Sequence, residues 1–248
     1  MCVALGLAVG GLAQEQTLVL PPGTEDRAGD SAHRILESDS LRFQQFFSSE
    51  LLSPAMPNGA WITGLSLRQD QGSRGFSGQL TFESVEVILS TADRTLTNPS
   101  RRFADNLGPD ATTVSSLAPV HWSLQHIQGR ANPFEIALKF AKPFRYDPRQ
   151  GNLLIDLRLM SASSDAWLDL DSSLSLPRER AWYVWGRMGD PPANVTDLIG
   201  GSLVGGAYAM RLDFFPIPEP PEVALFCIGL AAVIVNRRRA ALRHLSQL

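Results

Sequence analysis

The residues best placed by type and spacing to do chemistry stand near the C-terminus, as Pro218-Glu219-Pro220. Two prolines hold the backbone extended around one carboxylate and deny it a helical hydrogen-bond pattern. The result is a rigid extended strand with a fixed carboxylate that a cationic pocket can read. The chemistry on offer there is recognition. Elsewhere the usual catalytic patterns fail on spacing. No G-x-S-x-G elbow occurs, because the glycines around Ser202 do not complete the pattern. His121 and His126 are five apart, so on one regular strand they point to opposite faces and cannot chelate together. His33 and His244 lie near the two ends of the chain.

Acids give weaker patterns. Glu83, Glu86 and Glu135 are the candidates for the paired carboxylates of a glycosidase, but Glu83 and Glu86, three apart, fall on opposite strand faces. Asp165, Asp169 and Asp171, or Asp105, Asn106 and Asp110 around Gly108, offer hard oxygen ligands of the kind calcium favours. Neither set matches the twelve-residue calcium loop, so both read as solvated loop acids. Trp61, Trp122, Trp167, Trp182 and Trp185 are candidate sugar-stacking platforms, and most aromatics of a β fold are core. Asn194-Val195-Thr196 fits a glycosylation sequon. No metal site, cofactor or catalytic residue is expected.

The elements that would position the Pro-Glu-Pro strand lie on either side of the body. After it comes an apolar run, Val223-Ala224-Leu225-Phe226-Cys227-Ile228-Gly229-Leu230-Ala231-Ala232-Val233-Ile234-Val235, and then Arg237-Arg238-Arg239. Breaker, apolar helix and basic cluster stand in stop-transfer order. The positive-inside rule keeps the Arg cluster cytoplasmic and places everything before Pro218 outside. As a helix the run spans about 20 Å, a short crossing that Arg side chains extend by snorkelling. At the other end Val3 to Leu12 are small or apolar, and Gly11-Leu12-Ala13 supplies the small residues a signal peptidase accommodates, so cleavage is expected before Gln14.

These residues resemble the PEP-CTERM sorting domain of Gram-negative and related bacteria, over about 25 residues. The resemblance implies recognition by an exosortase, a membrane-embedded cysteine transpeptidase that cuts near the motif. Pro218, Glu219 and Pro220 would be the recognition element, residues 223–235 the temporary anchor and Arg237 to Arg239 the cytoplasmic retention signal. Two features depart from the family: Pro221-Glu222 stands where a Ser or Thr is usual, and Ala240 to Leu248 extends past the Arg cluster. The implied partners are the exosortase, signal peptidase with the general export machinery, and the inner membrane before processing, with exopolysaccharide as a candidate matrix partner. The implied destination is the cell surface or extracellular matrix.

Between the ends, apolar residues recur with period two. Leu41, Phe43 and Phe47, then Phe134 to Phe140, Leu153 to Leu159 and Tyr208 to Phe214, alternate in the manner of antiparallel strands with one wet and one dry face. Trp61 to Leu67, Gly78 to Ser90, Val120 to Ile127, Trp167 to Leu174 and Trp182 to Met188 complete about nine candidate strands. In Gly78 to Ser90 the apolar face changes phase between Phe82 and Val85, the mark of a bulge or turn. Asp147-Pro148-Arg149-Gln150-Gly151-Asn152 is a turn by composition. The run from Pro143 to Asp156 also resembles a strand-turn-strand of other PEP-CTERM proteins, and Phe43 to Phe47 their opening strand. The expected organisation is a signal peptide at 1–13, a loose arm at 14–34, an antiparallel β-sandwich or jelly-roll body at 35–216 and the sorting tail at 217–248. Gly189 to Gly206 is expected as a loop.

Composition sets the limits. Across the 248 residues, 22 Lys and Arg against 25 Asp and Glu leave no basic excess for phosphates, which argues against a nucleic-acid binder. Residues 14–217 carry 18 basic and 23 acidic side chains, so the body is more acidic than the whole. The two cysteines, Cys2 and Cys227, lie in the terminal apolar runs, so the body has no disulfide, Cys zinc site or thiol nucleophile. The function expected is that of a non-enzymatic structural or adhesive surface protein. The alternative is a carbohydrate-binding or glycoside-hydrolysing β-sandwich delivered by the same signal.

Overall fold

The computed structural model describes residues 14–36, 41–72, 75–92, 100, 102–162, 168–176, 180–187 and 204–218. The strands, in chain order, are β1 (Gln16–Leu20), β2 (Ser31–Leu36), β3 (Leu41–Phe47), β4 (Ala60–Leu67), β5 (Gly78–Ala92), β6 (Thr112–Leu117) and β7 (Val120–Leu124). They continue with β8 (Ile136–Tyr146), β9 (Asn152–Ala162), β10 (Leu168–Ser173), β11 (Ala181–Arg187), β12 (Val204–Gly205), β13 (Ala207–Tyr208) and β14 (Met210–Pro216). Two single-turn helices, α1 (Ser49–Leu52) and α2 (Phe103–Asn106), interrupt them. The described chain is mainly β, and every ladder is antiparallel.

Three sheets result. The first has the order β1-β14-β4-β8, the second β12-β11-β3-β9-β5-β6 with β7 also beside β5, and the third β13-β10-β2. An isolated bridge from Gln69 to Leu170 ties the end of β4 to the third sheet. The apolar side of the period-two pattern from all three sheets enters one buried cluster. Leu65, Leu138 and Leu212 come from the first sheet, Phe43, Val87 and Leu157 from the second, and Leu170 and Tyr208 from the third. Burying each such side chain contributes about 1.5–3 kcal/mol, so this shared cluster is the main source of stability in a body without cysteines. Where Leu67, Phe82, Leu138, Leu159 and Leu170 meet, packing leaves an apolar void of about 20 Å³. It is water-sized and offers no polar group, so it is a packing gap and not a ligand site.

The phase change in β5 is present. Leu80 and Phe82 are buried, Glu83 is exposed, and burial resumes in the other phase at Val85, Val87 and Leu89. At the same point β5 exchanges partners, pairing Phe82 with Val120 of β7 and Val85 with Leu117 of β6. The two-residue link Ala118-Pro119 shifts the neighbouring edge by the same phase, so apolar faces match on both sides. The turn at 147–152 is also present. Gln150 N–H donates to the Asp147 carbonyl at 2.9 Å, and Gly151 takes a φ of 150°. A Cβ there would stand 2.9 Å from the Ala92 carbonyl oxygen, so the close approach of β5 requires glycine.

Three expectations need correction. Residues 14–34 do not form a loose arm: β1 pairs with β14 and β2 with β10. The reason is local, since Thr17-Leu18-Val19-Leu20 has strand propensity, and the Pro- and Gly-rich link after it is held by the body through the contacts described below. The expected loop at 189–206 contains strand residues, Val204 and Gly205, paired with Tyr183 and Trp182, while 189–203 lie outside the described residues. Finally, Thr112–Leu117 forms an unanticipated strand, because its Ser- and Thr-rich pattern carries little apolar contrast. The chain divides into two units, Met1–Pro216 and Ile217–Leu248, and all fourteen strands belong to the first.

Candidate functional site

Of the residues expected to act in sorting, Pro218 is the last described. Glu219, Pro220, residues 223–235, Arg237 to Arg239 and the segment 1–13 lie outside the described residues. Among the described residues no helix is long and apolar enough to cross a membrane. What the body does define is where its ends emerge. β1 runs antiparallel to β14 with Gln16 opposite Phe214 and Leu20 opposite Met210, and β14 continues to Pro216 opposite Ala60 of β4. The beginning of β1 and the end of β14 therefore lie side by side at one end of the first sheet, about 4.8 Å apart as neighbouring strands must be.

That sheet end has its own chemistry. Trp61 is 42% exposed, one of two exposed large hydrophobic residues among those described. In register it stands between Phe215 of β14 and Arg145 of β8. β8 carries Lys139, Lys142 and Arg145 and no acid, and all three cations are exposed. Lys139 has Glu15 at 3.7 Å and Asp213 at 3.9 Å. Glu15 also accepts the Thr63 hydroxyl at 2.8 Å. Among the described residues neither Lys142 nor Arg145 has an acidic partner. Thr63 is an inserted residue: the β14 and β8 ladders both change register between Ile62 and Gly64.

Two buried ion pairs were not anticipated. Arg68, 1% exposed, follows β4 and meets the fully buried Asp171 of β10 through Nε at 2.7 Å. The other Asp171 oxygen accepts the Gly29 N–H at 2.8 Å, and an Arg68 Nη donates to the Arg27 carbonyl, so this pair fastens the link between β1 and β2. Arg68 also lies 4.7 Å from the centre of the Phe134 ring. Burial pushes the Asp171 carboxyl above its ordinary range, against the pull of Arg68 and the Gly29 amide. On the outward face of the second sheet, Arg42 Nε donates to Asp156 at 2.9 Å. Gln44 Nε2 reaches Asp156 and the Phe103 carbonyl, both at 2.9 Å, and Asn106 Nδ2 donates to Gln44 at 3.0 Å. Arg42 stacks 4.7 Å over Phe103, so α2 is fixed on the sheet by a network whose polar groups are satisfied. Both networks are structural: the contacts that hold each carboxylate come from other parts of the same chain.

The remaining candidates are placed one by one. Glu86 is paired with Arg158 at 2.6 Å, and Glu135 accepts the Gln125 N–H at 2.9 Å, so the three glutamates do not converge on one cleft. Asp105 accepts the Ser100 hydroxyl, Asn106 is buried in the α2 network, and Asp110 accepts the Thr91 N–H at 2.7 Å. Asp171 is committed to Arg68, and Asp165 lies outside the described residues. Among the described residues no group of three or more His, Cys, Asp or Glu is arranged to hold a metal ion. His121 Nδ1 meets the Thr81 hydroxyl at 2.8 Å, and His126 lies beside Asn132. Trp122 is core, its indole N–H donating to the Ala137 carbonyl at 3.0 Å. Trp182 and Trp185 stand three register positions apart on β11, opposite Phe46 and Phe43 of β3. Ser202, Asn194 and Trp167 lie outside the described residues.

Comparison with models of known protein families finds none that matches the chain, and comparison with curated protein sequences finds no match either.

Proposed function

We propose that this protein is an exported surface or matrix protein of a bacterium, held for a time in the inner membrane by its C-terminal tail and processed there by an exosortase. Its body is a two-layer β-sandwich of jelly-roll type with a structural or adhesive task. The observation that carries the reading is the pairing of β1 with β14. It delivers residues 14–16 and 214–216 to one end of one sheet, so the two segments with membrane-directing sequences leave the body side by side. That arrangement suits a domain tethered at both ends during export, because neither attachment has to pass around the body. The composition supports it too: both cysteines and the Arg cluster belong to the ends, and the region between them stands on its apolar cluster. The shared cluster of the first and second sheets supports the two-layer form.

In the native host, Glu219→Ala or deletion of Arg237 to Arg239 will leave full-length protein in the membrane fraction, while the unaltered chain is shortened and released. Equal mobility and equal release in all three would overturn the exosortase reading and leave a plain membrane anchor.

A further inference from the structure

We infer that the sheet end around Trp61 is a membrane-facing surface that rests on anionic lipid headgroups while the chain is anchored; this rests on the tail reading above. Three observations converge on it. The chain leaves β14 at Pro216, in the register of Ala60 and one position from Trp61 and Phe215. Only six residues, 217–222, lie between Pro216 and the start of the apolar run at Val223. Even fully extended, the seven steps from Pro216 to Val223 reach about 25 Å, so any bilayer that holds residues 223–235 begins within that distance of Pro216. Second, Trp61 exposes 42% of its surface on the outward face, where an apolar ring with a polar N–H suits the headgroup level.

Third, the charge is of the right sign and in the right place. The region 14–217 is acidic, with 18 basic against 23 acidic side chains, yet β8 beside Trp61 has three exposed cations and no acid. Lys139 is engaged by Glu15 and Asp213, whereas Lys142 and Arg145 have no acidic partner among the described residues and can meet an external anion. An acidic body is repelled by an anionic leaflet except where such a strip faces it. The strip and the aromatic together orient the body, bringing the stem that follows Pro216 close to the membrane surface, where a membrane-embedded transpeptidase works.

The test uses the full-length chain reconstituted in phosphatidylcholine vesicles with and without phosphatidylglycerol, with a nitroxide quencher at the headgroup. Flotation reports the anchor, and tryptophan quenching reports the surface. The expected result is that the chain floats, that its emission is quenched more strongly when phosphatidylglycerol is present, and that Trp61→Phe removes most of the quenching without changing flotation. Lys142→Glu with Arg145→Glu should lower the docked-to-free ratio in anionic vesicles by about fivefold or more for each cation, the factor that corresponds to ~1 kcal/mol per basic residue near an anionic surface. A floating chain whose quenching is the same in Trp61→Phe, or is indifferent to the charge reversal, overturns the surface and leaves the anchor standing. A chain that fails to float overturns both.

Discussion

Arg68→Met is the sharpest perturbation available in the body. The arginine is 1% exposed and Asp171 is fully buried, so methionine fills much of the volume but leaves the carboxylate with the Gly29 N–H alone. Removing one partner of a buried pair costs about 3–5 kcal/mol, because the remaining charge has neither water nor counter-ion. Against the roughly 5–15 kcal/mol by which domains are stable, that is a large fraction. Replacing both, Arg68→Met with Asp171→Leu, removes the charges together and should recover most of the loss. The pH dependence has a definite sign. The Asp171 carboxyl is held above its ordinary value by burial. A raised carboxyl contributes stability that is fully present below its unfolded value, about 3.9, and is lost as pH rises through its folded value. Without Arg68 to pull it down the folded value rises further, so the deficit of Arg68→Met is large at neutral pH and shrinks toward pH 4. Urea unfolding of the full-length chain in mild detergent, followed by circular dichroism at both pH values, measures it. A deficit under about 1 kcal/mol at neutral pH would refute the reasoning, as would one that does not shrink in acid.

Two further outcomes follow from packing and burial. Tyr146, Tyr183 and Tyr208, the only three tyrosines, are all buried, and burial raises each phenol above 10.0. The stability that goes with their neutral forms is present below pH 10 and lost as pH rises through the folded values, so phenolate absorbance should appear together with loss of the circular dichroism signal. A tyrosine that ionises near pH 10 in a still-folded chain would contradict its burial. Gly108→Ala places a Cβ 1.8 Å from the Thr91 carbonyl oxygen, a backbone atom that cannot turn aside. It should cost about 1–3 kcal/mol in the same unfolding assay and loosen the segment that carries α2; a neutral effect would show that this segment does not lie on β5 as described.

The strands were legible because burial on one face leaves a period-two record in the residue types. Leu153, Ile155, Leu157 and Leu159 declare β9, and the phase slip between Phe82 and Val85 declares even the irregularity of β5. Where the record is faint the sequence is silent. β1 is a short edge strand, and in Thr112–Leu117 the Ser and Thr residues blur the contrast between faces. The polar clusters were hidden for a different reason. Gln44 and Asp156 sit at wet-face positions of ordinary strands, and only α2, laid over that face, turns them into buried groups. Arg68 and Asp171 are 103 residues apart, and nothing local marks either as half of a pair.

The sequence alone determined that the chain is mainly antiparallel β, that its body must do without cysteine, and that both ends carry apolar runs, the second followed by an Arg cluster, because each is a property of residue type read over a short window. The tertiary structure decided what lies beside what. It closed the first strand on the last, so that both ends leave from one place, and it left Trp61 exposed beside the cations of β8. It also turned scattered acids into partners of particular arginines. Pairing between strands nearly 200 residues apart is set by which faces bury the most apolar surface together, a quantity that belongs to the whole chain and to no segment of it.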